Sequence, residues 1–218
     1  MTSKTLSAKT SWNSGKAVGP KTEFLPSHIH RLEAIQLRNR QWHDLALIST
    51  ALDSMLRSSD LLKLKLEDVM YASGNFRSEL RCRQDKSGSN VYPVLGEATK
   101  AYLTIWIRVS GKKMHHYLFT RTKGADAPPL TRGHYARLTK TWADWLELPK
   151  EEYSTHSLRR SRAALMFQRG EPIEMISLLL GHKSVAVTIR YLGLNQKKAA
   201  MTSLRHPMMK GPPKELLG

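Results

Sequence analysis

From Thr155 to Tyr191 the chain is interrupted so often that it can build only short helices in series. Gly170 and Pro172 follow one amphipathic run, Gly181 ends the next, and Ser184 precedes a third. Glycine closes helices in the left-handed conformation, proline pre-sets a first turn, and serine supplies a capping oxygen. The spacing predicts helices over 157–169, from Pro172 to Gly181, over 185–191 with Ser184 as cap, and over 196–204 with Asn195 as cap. The same stretch carries His156, Arg159, His182 and Tyr191. Two imidazoles, a guanidinium and a phenol can bind a phosphodiester, neutralise it and attack it without a metal ion. Singly, each has a plainer reading. His156 suits a helix N-terminus, His182 a helix C-terminus, Arg159 a solvated basic face with Arg160, Arg162 and Arg169, and Tyr191 a half-buried core position.

Upstream, apolar periodicity predicts a helix capped by Ser27 with Ile29, Leu32 and Ile35, and a second with Trp42, Leu45, Ile48 and Leu52. Residues 74–94 change to alternation through Phe76, Leu80, Cys82 and Val91, around the polar turn Gln84-Asp85-Lys86-Ser87-Gly88-Ser89-Asn90. That pattern predicts a β-hairpin with Lys86 at or beside its tip. A helix over Glu97–Arg108 places Ala98, Ala101, Tyr102, Ile105 and Trp106 on one face. Thr131 opens another, with Tyr135, Leu138, Trp142 and Trp145 inward and Pro149 beyond its end. The fold class is mostly α with a small antiparallel β-sheet (α+β). One domain over 23–205 is expected, after a flexible basic arm (1–22) and before an irregular tail (206–218).

Charge narrows the partner. The 218 residues hold 35 Lys and Arg against 18 Asp and Glu, a formal net charge of +17. Such an excess calls for a polyanion, and nucleic acid is the commonest, since each neutralised phosphate releases a counterion. No signal peptide or long apolar span is evident, so no membrane association is expected, and the single Cys82 suits a reducing, cytoplasmic compartment. Cys82 alone and the His115-His116 pair lack the spaced partners of a zinc site. Asp53, Asp60, Glu67 and Asp68 are read as solvated charges rather than as magnesium ligands. No cofactor is expected.

The set His156-x-x-Arg159, then Gly181-His182, then Tyr191 resembles the C-terminal signature of the tyrosine recombinases, the phage integrase family. Leu179-Leu180-Gly181-His182-Lys183-Ser184-Val185-Ala186-Val187-Thr188-Ile189-Arg190-Tyr191 is similar to that family's final box. Its upstream arginine is matched by Arg57 in Ser54-Met55-Leu56-Arg57-Ser58-Ser59-Asp60-Leu61-Leu62, and its hairpin lysine by Lys86. Lys100, Arg81 and Arg83 would take the place of Lys86 under a shifted alignment. Leu118-Phe119 before a loop also fits. The resemblance covers roughly residues 25–205 and implies a recombinase catalytic-domain fold.

It further implies a site-specific DNA recombinase that cleaves and rejoins DNA through a 3′-phosphotyrosyl link, in integration, excision, inversion or resolution. Tyr191 would be the nucleophile, with Arg57, Arg159 and His182 on the phosphate, Lys86 protonating the leaving 5′-oxygen and His156 handling the tyrosine proton. The implied partners are double-stranded DNA, a homo-tetramer on synapsed sites, and accessory DNA-bending proteins. The implied location is the bacterial cytoplasm, at the nucleoid when DNA is bound. Helices near 131–146 and 156–170 would face DNA, and helix 196–204 would pack on a neighbouring protomer. There are two rivals: a DNA-binding regulator or accessory factor that keeps the fold without strand exchange, and a type IB topoisomerase, which uses the same residue set and phosphotyrosine. The family often has Glu where this chain has Asp60. Most members also carry a separate N-terminal clamp domain, for which little chain precedes Arg57; Met1 favours a complete short member over a fragment.

Overall fold

The computed structural model describes residues 21–80, 82–85, 88–121, 126–196, 200 and 202, with the Arg83 side chain outside the description. Lys86, most of the expected N-terminal arm and the whole of the expected tail lie outside it. Nine α-helices are present among the described residues: α1 (Pro26–Arg38), α2 (Trp42–Ser54), α3 (Ser58–Leu61), α4 (Leu66–Val69), α5 (Glu97–Ser110), α6 (Arg132–Trp145), α7 (Ser157–Gln168), α8 (Ile173–Leu180) and α9 (Val185–Tyr191). The strands are β1 (Cys82–Arg83) and β2 (Asn90–Val91), antiparallel, with Cys82 opposite Val91. The pairing is far shorter than the hairpin expected over 74–94, and the described residues hold no larger sheet. Two further bonds keep the same register, from the Gln84 N–H to the Ser89 carbonyl and from the Leu80 N–H to the Pro93 carbonyl, whereas Phe76 bridges to Met70 instead. None of the described helices is long and apolar enough to cross a membrane.

Helix α2 is the centre. Leu45, Ala46, Leu47, Ile48, Thr50, Ala51 and Ser54 are all buried, more of its circumference than an amphipathic surface helix would hide. It packs on α1, α5 and α7. The main core gathers Leu32, Leu47, Leu61, Leu103, Trp106, Leu118, Phe119, Tyr135 and Trp142 around it. The two largest rings keep their N–H groups satisfied: Trp106 donates to the Leu118 carbonyl and Trp142 to Asp44, both at 2.9 Å. A second, smaller cluster joins Met55 to Ala163, Ile176, Leu180 and Leu192. It docks the short C-terminal helices onto the end of α2.

Several expectations are corrected. Helix α1 starts at Pro26, with Leu25 as N-cap, and the Leu25 N–H donates to His28 Nδ1; Ser27 already lies inside. The buried face of α5 is Thr99, Leu103, Trp106 and Ser110, while Ala98 and Ala101 are exposed. Two hydroxyls can be buried there because Thr99 donates to Asp53 and Ser110 to the Trp106 carbonyl. Trp145 is 39% exposed and is no part of the core. Thr131 does cap α6, accepting from the His134 N–H. Ser184 holds the cap position of α9 without a side-chain cap bond. Gln196, Ala200 and Thr202 are helical. Lys21 and Thr22, expected in the arm, bond instead to Glu151 and Glu152 of the 3-10 turn Lys150–Glu152.

Asp53 is likewise no freely solvated charge. From the end of α2 it accepts from the Gly96 N–H (2.8 Å) and the Thr99 hydroxyl (2.5 Å), fastening the start of α5. Asp53→Ala should cost about 1–2 kcal/mol of stability, the usual worth of an N-terminal cap. Urea unfolding followed by circular dichroism measures it.

Candidate active site

The chain leaves α2 through Met55, a non-glycine residue in the left-handed region (φ 46°). That turn reverses the backbone and leads through Leu56 to Arg57, the N-cap residue of α3. A non-glycine left-handed residue costs on the order of 1 kcal/mol and persists only where its surroundings demand it. The demand is visible: the Met55 side chain is buried in the smaller cluster, and its carbonyl accepts from Arg159 Nη1 at 2.5 Å.

Arg159 emerges from the first turn of α7 and is 3% exposed. Its second nitrogen, Nη2, donates to the Leu180 carbonyl at 2.6 Å. One guanidinium thus ties the end of α2 to the end of α8. The solvated-face reading fails for Arg159, and also for Arg160, which is 8% exposed; Arg162 and Arg169 are exposed. Burial, with the like charge of Arg57, lowers the Arg159 pKa to about 10, so the group stays a cation at neutral pH.

Gly181 ends α8 in the left-handed region (φ 59°) and turns the chain into His182. A Cβ on Gly181 would lie 2.7–2.9 Å from the carboxamide of Gln84. Gln84 is fully buried and donates from Nε2 to the same Leu180 carbonyl that Arg159 holds. The hairpin is fastened from α3 as well: buried Asp60 accepts from the Asp85 N–H, and Lys63 pairs with Asp85 at 2.5 Å. Asp60 is therefore a support and no solvated charge. Gln84 is correspondingly a buried anchor, whereas its polar sequence context reads only as a turn.

His182 Nδ1 lies 2.9 Å from the hydroxyl of fully buried Thr188, one turn into α9. With that hydroxyl donating, the neutral ring carries its proton on Nε2. Burial and the charges of Arg159 and Arg57 lower the His182 pKa to about 4, so imidazole is the resting form at neutral pH. The ring stands edge-on to Tyr191, with centroids 5.4 Å apart. Tyr191 is the last residue of α9; its hydroxyl oxygen is buried and makes no hydrogen bond of normal geometry. Burial raises the phenol pKa, while Arg159, Arg160 and Arg57 pull it back down.

A cavity of about 350 Å³ brings these groups together: Arg57, His156, Arg159, His182, Lys183, Val187 and Tyr191 line it. Five of the six residues singled out from sequence share that wall, and the sixth, Lys86, lies outside the described residues. His156 is the N-cap of α7 and exposed. Lys100 is not a lining residue and pairs with Glu97 on α5. Sequence reading missed Lys183, which lines the cavity beside His182, and the supports Gln84 and Thr188. The glycine of Gly181-His182 is the signal that something presses close there. A separate, mainly apolar cavity of about 360 Å³, lined by Phe24, Ile29, Leu45, Ile48, Tyr102 and Leu165 among others, holds none of the seven.

A buried phenol beside cations and a neutral imidazole donor can do nucleophilic work on a phosphate. An anion in the cavity would face the guanidiniums of Arg57 and Arg159, and the same cations favour the phenolate. Two outcomes follow from the geometry. Gly181→Ala should lose about 1–3 kcal/mol in chemical denaturation, combining the left-handed penalty with displacement of buried Gln84. His182 has a folded pKa (about 4) below its unfolded value near 6.5, so its contribution to stability is present above pH 6.5 and lost as pH falls towards 4. Between pH 7 and 5 the wild type should lose more than His182→Gln, on the order of 1 kcal/mol after discounting for solvent screening of a half-buried ring, read by urea titrations at the two pH values.

Known proteins share the sequence family and the fold. The profile of the phage integrase family matches residues 26–198. Tyrosine recombinase XerD of Rickettsia conorii is 29% identical over 181 residues, which cover 76% of this chain and 56% of that protein. The chain thus spans little more than half the length of that relative. The crystal structure of XerA recombinase superposes with a TM-score of 0.68 at 20% identity, covering 88% of this chain and 66% of the other. The Tn1549 transposon integrase in complex with circular intermediate DNA gives 0.63 at 16% identity, over 87% and 66%. These two likenesses establish the fold, and the profile match over most of the chain establishes descent: this chain belongs to the phage integrase family.

Proposed function

We propose that the chain is a site-specific DNA recombinase whose Tyr191 cleaves and rejoins double-stranded DNA. The observation that carries the reading is the single cavity shared by Tyr191, Arg57, Arg159, His182 and His156. In this reading the Tyr191 oxygen attacks the scissile phosphorus, and the bond from phosphorus to the 5′-oxygen breaks. The products are a 3′-phosphotyrosyl link and a free 5′-hydroxyl. The tyrosine proton passes to His156, and Lys86 protonates the departing 5′-oxygen. Arg57 and Arg159 hold the non-bridging oxygens as charge grows on them, and neutral His182 adds a hydrogen bond from Nε2. Religation runs the steps backwards. The covalent link keeps the phosphodiester energy, so no nucleotide is consumed.

Lys86 belongs in this scheme because its neighbours are anchored beside the cavity: Gln84 to the Leu180 carbonyl and Asp85 to Asp60. The net charge of +17 supports DNA as partner, as does the DNA-bound state of the Tn1549 integrase. Exposed Arg132, Arg137 and Lys140 on α6, with Arg162 on α7 and Arg169 just after it, are proposed to contact phosphates. A tetramer on synapsed sites, with the expected helix over 196–204 packing on a neighbour, completes the proposal. Work on DNA would place the protein in the cytoplasm.

The test is a nicked duplex that traps the covalent intermediate, built on the sequence the chain selects from random oligonucleotides. The wild type should yield a covalent adduct in excess EDTA, and Tyr191→Phe should reduce it by at least roughly 10³-fold while binding the duplex normally. A wild type that binds but never forms the adduct would reduce the protein to a DNA-binding regulator.

A further inference from the structure

Arg160 follows Arg159 on α7, and one helical step sends its side chain in a different direction. It is 8% exposed, and it makes three contacts with two residues remote in sequence, Glu23 and Tyr191. Nε donates to Glu23 Oε2 at 2.9 Å. Nη1 donates to the backbone carbonyl of Tyr191. The guanidinium carbon lies 5.7 Å from the centroid of the Tyr191 ring. Tyr191 ends α9, where carbonyls run out of intrahelical donors and the helix dipole is negative; Arg160 answers both needs.

Glu23 belongs to a segment bolted along the same region. The Phe24 N–H donates to the Ser161 hydroxyl at 2.8 Å, and the Phe24 ring stacks on Tyr153 at 4.4 Å. The Thr22 N–H donates to the Glu152 carbonyl, and Lys21 Nζ to the Glu151 carbonyl. A guanidinium this buried is costly to desolvate, and the Glu23 carboxylate is the anion that compensates it. Weakening that carboxylate must therefore change how Arg160 sits, and with it the carbonyl of the residue that carries the phenol.

We propose that Arg160 is a positioning residue for Tyr191, and that through Glu23 it couples the docking of residues 21–24 to the placement of that nucleophile. The inference rests on the nucleophile role argued under the proposed function. A carbonyl and a phenol on one residue move together, so a shift of a fraction of an ångström at the backbone reaches the attacking oxygen. Lysine in place of Arg160 keeps the charge but lacks the planar fork that reaches a carboxylate and a carbonyl at once.

The experiment uses Glu23→Gln, Arg160→Lys and the double variant on the nicked duplex described above. Each single variant should slow adduct formation at saturating DNA roughly tenfold, the scale of a small misplacement of reacting atoms. DNA affinity should stay within about twofold of wild type. The double variant should be no slower than the slower single, because both act on one link. In parallel, the chain labelled with ¹³Cζ-tyrosine is examined by NMR without DNA, the Tyr191 signal being assigned by its loss in Tyr191→Phe. That signal should move in Glu23→Gln, whose partly exposed side chain makes misfolding a small concern. Lower melting temperatures with an unchanged cleavage rate and an unmoved signal would overturn the proposal, leaving a structural ion pair. Additive rate losses would overturn the coupling. An inactive wild type whose signal still moves in Glu23→Gln counts against the nucleophile reading and for the link, so the two failures are distinct.

Discussion

A nearly inaccessible guanidinium, that of Arg159, holds the site together. Its hydrogen bonds run to the carbonyls of Met55 and Leu180, which are polar but uncharged. Carbonyls satisfy the N–H groups without neutralising the cation, and the Asp60 carboxylate offsets the cost only in part, since burial still lowers the Arg159 pKa. Such a charge is expensive to maintain and becomes favourable when an anion arrives. The left-handed turn at Met55, the left-handed Gly181 and the buried Gln84 all serve to present those two carbonyls.

The electrostatics at His182 and Tyr191 follow from the same cation. Arg159 and Arg57 make protonation of His182 unfavourable, so the imidazole stays neutral with Thr188 at Nδ1. They also oppose the rise that burial imposes on the Tyr191 phenol. One charge distribution thus keeps an imidazole neutral and eases ionisation of a phenol, though the two rings are only 5.4 Å apart. The difference is one of sign: positive surroundings penalise a cation and favour an anion.

Much of this was legible in advance. The short C-terminal helices were readable because Gly170, Pro172, Gly181 and Ser184 act through the local backbone, and local rules survive into any fold. Arg57, His156, Arg159, His182 and Tyr191 were readable as a set, since their types and order in the chain match a known signature. The errors fell where tertiary packing overrides periodicity. The face of α5 is chosen by partners on α2 and by hydroxyls that bond within the fold, so Thr99 is buried and Ala98 is not. Trp145 reads as core by size and position, yet nothing packs over enough of it. The ladder stops short of the expected span because Pro93 accepts from Leu80 but has no N–H to return, and Phe76 bridges to Met70.

By itself the sequence determined the helix-rich class, the breaks between the last helices and the chemical types at the cavity, because propensity, capping and charge belong to each residue wherever it lies. Only the tertiary structure decided which arginines are buried. Arg159, Arg160, Arg162 and Arg169 look alike along the chain, but α7 turns the first two inward and leaves the others in solvent. It also decided that Gln84, Asp60 and Glu23, distant in sequence and ordinary in composition, brace the site. Those roles come from contacts across the fold, and the energy of such a contact depends on burial and geometry that no local pattern encodes.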